Sequence, residues 1–129
     1  VKYLVLIVAL AAAGYYYLER TRAQSNAEAL ALVIAESKRQ GEVDLFELKA
    51  ALTKHVYAIC DNNSTMLLES DRSVGDCEDL HDSKHMQCDE AVFRLAPLTI
   101  TDSDEVVDYA KRYVRCALPY EDLTYQPIR

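Results

Sequence analysis

Residues 3–18 read YLVLIVALAAAGYYYL, an uninterrupted run without one charged side chain. A helix of this length reaches about 24 Å, slightly less than the roughly 30 Å hydrocarbon core of a bilayer. The flanks make up the difference. Tyr15, Tyr16 and Tyr17 can settle their rings at headgroup level, while Lys2, Arg20 and Arg22 can snorkel toward water. The run therefore reads as a membrane anchor, with Tyr3, Leu4, Leu6, Ile7, Leu10 and the three tyrosines as its lipid-facing residues. The small residues Ala11, Ala12 and Ala13 behind Lys2 and an apolar stretch also fit a cleavable secretory signal. Of the two readings the signal-anchor is the expectation.

Beyond the run, residues 19–40 contain no Gly or Pro and are dominated by Ala, Leu, Glu, Arg and Lys, so the same helix is expected to continue as a stalk that stops at Gly41. Within it, residues 27–35 (AEALALVIA) are apolar on nearly every side. So wide a stripe has to be covered, by this chain's other helices or by a partner. Ala27, Leu30, Leu32, Val33 and Ile34 are the residues expected to make that contact.

The rest of the chain reads as a small helical unit. Asp44 with Glu47 three positions on forms a capping-box-like start, and Leu45, Leu48, Leu52, Val56 and Ile59 recur at helical spacing. Loops are expected at 61–64 and 71–75, followed by a helix from about Glu78 to Ala96, stopped by Pro97, with Leu80, Cys88, Ala91 and Leu95 on one face. A last helix starts at Thr101 or Asp102, with Asp104 and Glu105 at its positive end and Val106, Ala110, Tyr113, Val114 and Ala117 as its stripe. Leu98, Ile100 and Thr101 suit a short strand, but nothing pairs with it convincingly. A tail from Pro119 is expected to pack through Tyr120, Tyr125 and Ile128. The fold class is all-α, arranged as anchor 1–18, stalk 19–40 and a disulfide-stabilised domain 41–129 with about three further helices.

Cysteine usage places that domain. Cys60, Cys77, Cys88 and Cys116 are even in number, widely spaced and free of any C-x-x-C pair, which suits disulfides in an oxidising compartment. The positive-inside rule weighs Lys2 and the terminal amine against Arg20 and Arg22 and comes close to a tie, so the cysteines decide for a domain outside the cytosol, periplasmic or extracellular. The expected pairing is Cys60 with Cys116 and Cys77 with Cys88. The second bond requires its intervening segment to turn back on itself. If that segment is one straight helix, each of its cysteines must instead join Cys60 or Cys116.

Chemistry is sparsely signalled. Cys77, His81, His85 and Cys88 could share a helix flank as zinc or copper ligands, but four ligands spread over about 16 Å of one helix cannot all reach one ion, so no metal is expected and these stay weak candidates. Two disulfide cysteines and two solvated histidines are the preferred reading. His55, beside Lys54, reads as a surface residue without a role. The acidic stretches 76–82 and 102–108 lack the EF-hand spacing and read as solvated faces. Asn62-Asn63-Ser64 and Asn63-Ser64-Thr65 both satisfy the glycosylation pattern. There is no phosphate-cradling loop, G-x-S-x-G or H-E-x-x-H, and three glycines leave little room for close backbone approach to a cofactor. Neither an enzyme nor a cofactor is expected.

With 14 Lys plus Arg against 21 Asp plus Glu, the chain carries a net charge of −7 and repels phosphates, which excludes nucleic acid as a partner. The leading expectation is a single-pass accessory or assembly subunit of an envelope complex, bound to other membrane or envelope proteins or to copies of itself, with the lipid bilayer around its first helix. The N-terminal region also resembles a type IV pilin over about forty residues, in having an apolar helix with Gly14 that runs into a longer amphipathic one. That resemblance implies a filament subunit with the helix in the filament core. The chain departs from it at Val5, where the usual pilin has glutamate, at Arg22, where proline is common, and at residues 19–22, which interrupt the apolar run early. A metal-binding periplasmic factor is the weaker alternative.

Overall fold

One helix, α1, runs without a break from Lys2 to Gln40 in the computed structural model, which describes residues 1–120, Leu123 and Ile128, apart from the side chain of Ala23. Gly41 ends it. With φ at 80° the glycine takes the left-handed conformation that other residues rarely adopt, and its N–H donates to the Ser37 carbonyl at 2.9 Å. The chain then forms β1 (Val43–Asp44), α2 (Leu45–Asn62), α3 (Ser64–Glu69), α4 (Val74–Phe93), β2 (Thr99–Ile100) and α5 (Ser103–Ala117).

The all-α class holds, with one small addition. β1 and β2 pair antiparallel, Val43 opposite Ile100 and Asp44 opposite Thr99. The strand partner that local sequence did not reveal lies more than fifty residues upstream, in Val43 and Asp44, the second of which is also the cap of α2. Asp44 accepts from the Phe46 N–H at 2.7 Å, and the Leu45 N–H reaches the Leu98 carbonyl at 2.9 Å, so the strand pair and the helix start hold each other.

α2 lies at the centre. Leu45, Leu48, Leu52, Val56 and Ile59 are all buried as their spacing predicts, and each contributes on the order of 1.5–3 kcal/mol by leaving water. α1 packs along it more extensively than any other element, and α4 and α5 complete the enclosure. The stripe expected on α5, from Val106 to Ala117, is buried throughout, and Asp102 is the residue that caps it, accepting from the Asp104 N–H at 2.9 Å.

α4 departs from expectation. It begins at Val74 because Ser73 and Asp76 form a reciprocal capping box, with 3.0 Å and 2.9 Å bonds, inside the stretch read as a loop. It ends at Phe93, three residues before Ala96. The buried face consists of Cys77, His81, Cys88 and Phe93, whereas Ala91 is exposed and Leu95 is 92% exposed. α3, a six-residue helix after the Asn63 turn, was not expected and buries Leu67. In the tail, Tyr120 is half-buried with the Arg72 guanidinium 4.3 Å from its ring centre, and Ile128 packs against the core; Tyr125 lies outside the described residues.

Candidate functional site

Two features of the molecule can carry function: the half of α1 that leaves the domain, and the cystine-locked bundle that the other half joins.

The departing half is exposed on every side. Tyr3, Leu4, Leu6, Ile7, Leu10, Tyr15, Tyr16 and Tyr17 all stand in the open, with Leu6, the most covered of them, still 57% exposed. A helical rod of apolar side chains this long is not stable facing water on all sides. Near the N-terminus the chain has one helix long and apolar enough to cross a membrane. Gly14, midway along, leaves open space where a side chain would stand.

The stalk residues divide. Leu30 and Ile34 are 2% and 3% exposed and belong to the domain's own core, and Val33 packs against that core in part. Three residues beyond Ile34, Ser37 is also buried, its hydroxyl donating back to the Ile34 carbonyl at 2.6 Å, so its polarity is met within the helix. Ala27 and Leu32 face outward, Leu32 at 64% exposure. Of the five residues expected to meet a partner, only these two remain fully open to one.

All four cysteines are paired, but not as expected: the bonds are Cys60–Cys77 and Cys88–Cys116. The reason is the straightness of α4. Cys77 and Cys88 sit eleven residues apart on one helix, about 16 Å along its axis, whereas bonded cysteines hold their Cα atoms about 6 Å apart. Each therefore bonds to a neighbouring helix, Cys77 to the end of α2 and Cys88 to the end of α5, with Cα separations of 5.7 and 5.8 Å. α4 is thus stapled at two points along its buried face.

The same pairing removes the metal reading. Two of its four ligands are disulfide sulfurs, and among the described residues no group of three or more His, Cys, Asp or Glu is arranged to hold an ion. His81 is not solvated but fully buried. Its Nδ1 lies 3.1 Å from Asp82 Oδ1 and its Nε2 lies 2.7 Å from the Tyr113 hydroxyl. A carboxylate only accepts, so Nδ1–H donates to Asp82, and in that tautomer Nε2 accepts from the Tyr113 hydroxyl. Tyr57 donates to the same Asp82 oxygen at 2.6 Å. These bonds hold the Asp82 carboxyl below the usual aspartate range, Tyr57 first and His81 second. They push Tyr57 up to about 12, chiefly through the bond to Asp82, while burial pushes Tyr113 up to about 12. The Tyr57, His85 and Tyr113 rings stand edge-on to His81 at 5.6 to 5.9 Å. The arrangement ties α2, α4 and α5 together at one point. Its inner end is a tyrosine 1% exposed, and its outer end, Asp82, stands open to solvent.

Sequence spacing could have flagged His81, since it falls one turn after Cys77 on the face that Cys88 shares, but its polarity argued for the surface. His55 was misread in the same direction: it is half-buried, its Nε2 has no hydrogen-bond partner among the described residues, and burial lowers its pKa. Of the two glycosylation patterns, Asn63 is 3% exposed with its amide donating to the Ile59 carbonyl at 2.8 Å, which leaves Asn62 as the accessible acceptor.

No family model, curated protein or solved structure matches this chain.

Proposed function

We propose that the chain is a non-enzymatic single-pass membrane protein whose helical domain stands outside the cytosol and works through protein contacts as an accessory or assembly subunit of an envelope complex. One observation carries the reading: α1 is continuous, yet its first half is apolar and exposed on every side while its second half is anchored in the domain core through Leu30 and Ile34. The first half needs a bilayer or other helices around it. The two disulfides support an oxidising location for the domain, which orients the anchor. Ala27, just before the core-packed turns, and Leu32, on their open side, are the partner-facing positions that follow from the reading.

The test is crosslinking of intact membranes, followed by purification and identification of partners by mass spectrometry. Stoichiometric partners that are lost in Leu32→Asp, with the domain still folded, are the expected result. A chain that purifies alone from crosslinked membranes would contradict it.

A filament subunit is the second reading, favoured by the unbroken junction of α1, which carries the apolar half rigidly on the domain as a bundled helical core requires. Recovery of the chain in sheared surface filaments would promote it, and confinement to the membrane fraction would remove it.

A further inference from the structure

Where α1 leaves the domain, it and the bundle enclose a cleft of roughly 680 Å³. Tyr16, Glu19, Arg20, Arg22 and Asn26 line it from α1, Tyr57 and Asp61 from α2, and Glu78 from α4. Its chemistry is mixed. Three carboxylates and two guanidiniums share the walls with two tyrosine rings, and no ion pair among the described residues joins these opposite charges. Glu19 accepts from the Tyr15 hydroxyl at 3.0 Å, while among the described residues no hydrogen bond engages the carboxylates of Asp61 and Glu78.

The carboxylates crowd one another. Partial burial raises Asp61, with Glu19 adding to it across the cleft, and partial burial raises Glu78, with the charges of Asp61, Asp82 and Asp79 adding to it. A cation placed among them would relieve the repulsion. The height of the cleft narrows the choice of cation, because Tyr16 is in the tyrosine cluster that ends the apolar run, and Asn26 is about 15 Å further along the helix. On the anchor reading, this is the headgroup layer of the membrane.

We infer that the cleft binds the headgroup of a phospholipid that carries both a primary ammonium and a phosphate, of the phosphoethanolamine type. This rests on the anchor reading above. The ammonium has three N–H donors for Glu19, Asp61 and Glu78 and lies against the Tyr16 and Tyr57 rings; the phosphate meets Arg20 and Arg22. A quaternary ammonium has no N–H to donate and leaves the carboxylates unsatisfied. A headgroup without an amine brings only negative charge toward three carboxylates. A bound lipid at this junction would also fix the domain's tilt over the membrane.

The test uses the full chain in nanodiscs of equimolar phosphatidylethanolamine, phosphatidylcholine and phosphatidylglycerol, with retained lipids counted by native mass spectrometry after release. One retained phosphatidylethanolamine is expected, and Asp61→Asn with Glu78→Gln lowers its retention about tenfold, the loss expected for charge-assisted hydrogen bonds. Arg20→Gln with Arg22→Gln does the same. Both double variants keep their disulfides and thermal midpoint, because these side chains lie outside the core. Equal retention of the three lipids, preference for phosphatidylglycerol, or undiminished retention in the variants overturns the site while leaving the anchor intact. A chain that fails to enter nanodiscs overturns the anchor reading and this site with it. In cells, a photoreactive residue replacing Asn26 captures phospholipid; capture of a polypeptide there would assign the cleft to a partner's basic side chain instead.

Discussion

α1 carries two apolar stretches, residues 3–18 and residues 27–35, and they have opposite fates. Residues 3–18 expose every large side chain, whereas residues 30–37 bury Leu30, Ile34 and Ser37 against α2 and its neighbours. Helix formation does not distinguish them, since the helix is one. The difference lies in what surrounds each half: the second has the rest of the chain to pack on, and the first has to find its cover elsewhere. The comparison teaches that an apolar stretch is a demand for a solvent rather than a statement of which one.

The comparison is broken most severely by charging the first half. Ile7→Arg with Leu10→Arg is expected to cost about 6 kcal/mol of membrane insertion, moving the chain from the membrane pellet to the soluble fraction. The thermal midpoint of the domain should stay where it was. In the second half, two residues along the helix separate opposite outcomes. Ile34→Asp places a charge in the core and should cost about 4 kcal/mol in denaturant unfolding, while Leu32→Asp on the open side stays within about 0.5 kcal/mol.

The disulfides sharpen the contrast next. Replacing Cys60 and Cys77 with Ala, or Cys88 and Cys116 with Ala, should each lower stability by about 3 kcal/mol, slightly more for the second bond, whose loop is longer (28 residues of separation against 17). Neither pair of changes should release the chain from membranes.

The smallest effect is the pH dependence of the domain. Asp61 and Glu78 have folded pKa values raised above their ordinary 3.8 and 4.5, so the stability they contribute is full below those values and is lost as pH rises through the raised ones. Asp82 is depressed below its ordinary 3.8, so its contribution is present above that value and is lost as pH falls through the lower one. On acidification from neutral pH, unfolding experiments should show a slight gain in stability and then a loss near and below pH 4. Asp61 and Asp82 are exposed and Glu78 is half-buried, and solvent screening keeps each limb under about 1 kcal/mol. Asp61→Asn with Glu78→Gln should flatten the first limb and leave the second, which Tyr57→Phe should diminish.

Much of the bundle was legible because it rests on repeating patterns. The stripes of α2 and α5 are periodic over three turns or more, and Asp44 and Asp102 mark their starts. α4 was harder to read because its inner face is built from residues that do not look apolar. Cys77, Cys88 and His81 pack there, two as cystine and one with both ring nitrogens bonded, while Leu95, which looks like core, lies past the helix end in open solvent. Its start was hidden for a related reason: Ser73, Gly75 and Asp76 are turn formers by composition, and only the reciprocal bonds of the capping box make them a helix N-terminus. The disulfide pairing followed from the same misread segment, since a straight α4 admits only bonds to other helices. The β1–β2 pair and the tie from Asp82 through His81 to Tyr113 join residues far apart in the chain, which local pattern does not reach.

The most direct test of the account is to block free thiols in cells that express the chain, wash their membranes with alkaline carbonate and measure the mass of the chain in the pellet before and after reduction. The account predicts a chain that stays in the pellet, takes up no alkylating group at first, and takes up one on each of its four cysteines after reduction. A chain that washes into the supernatant, or cysteines alkylated before any reductant is added, would contradict it.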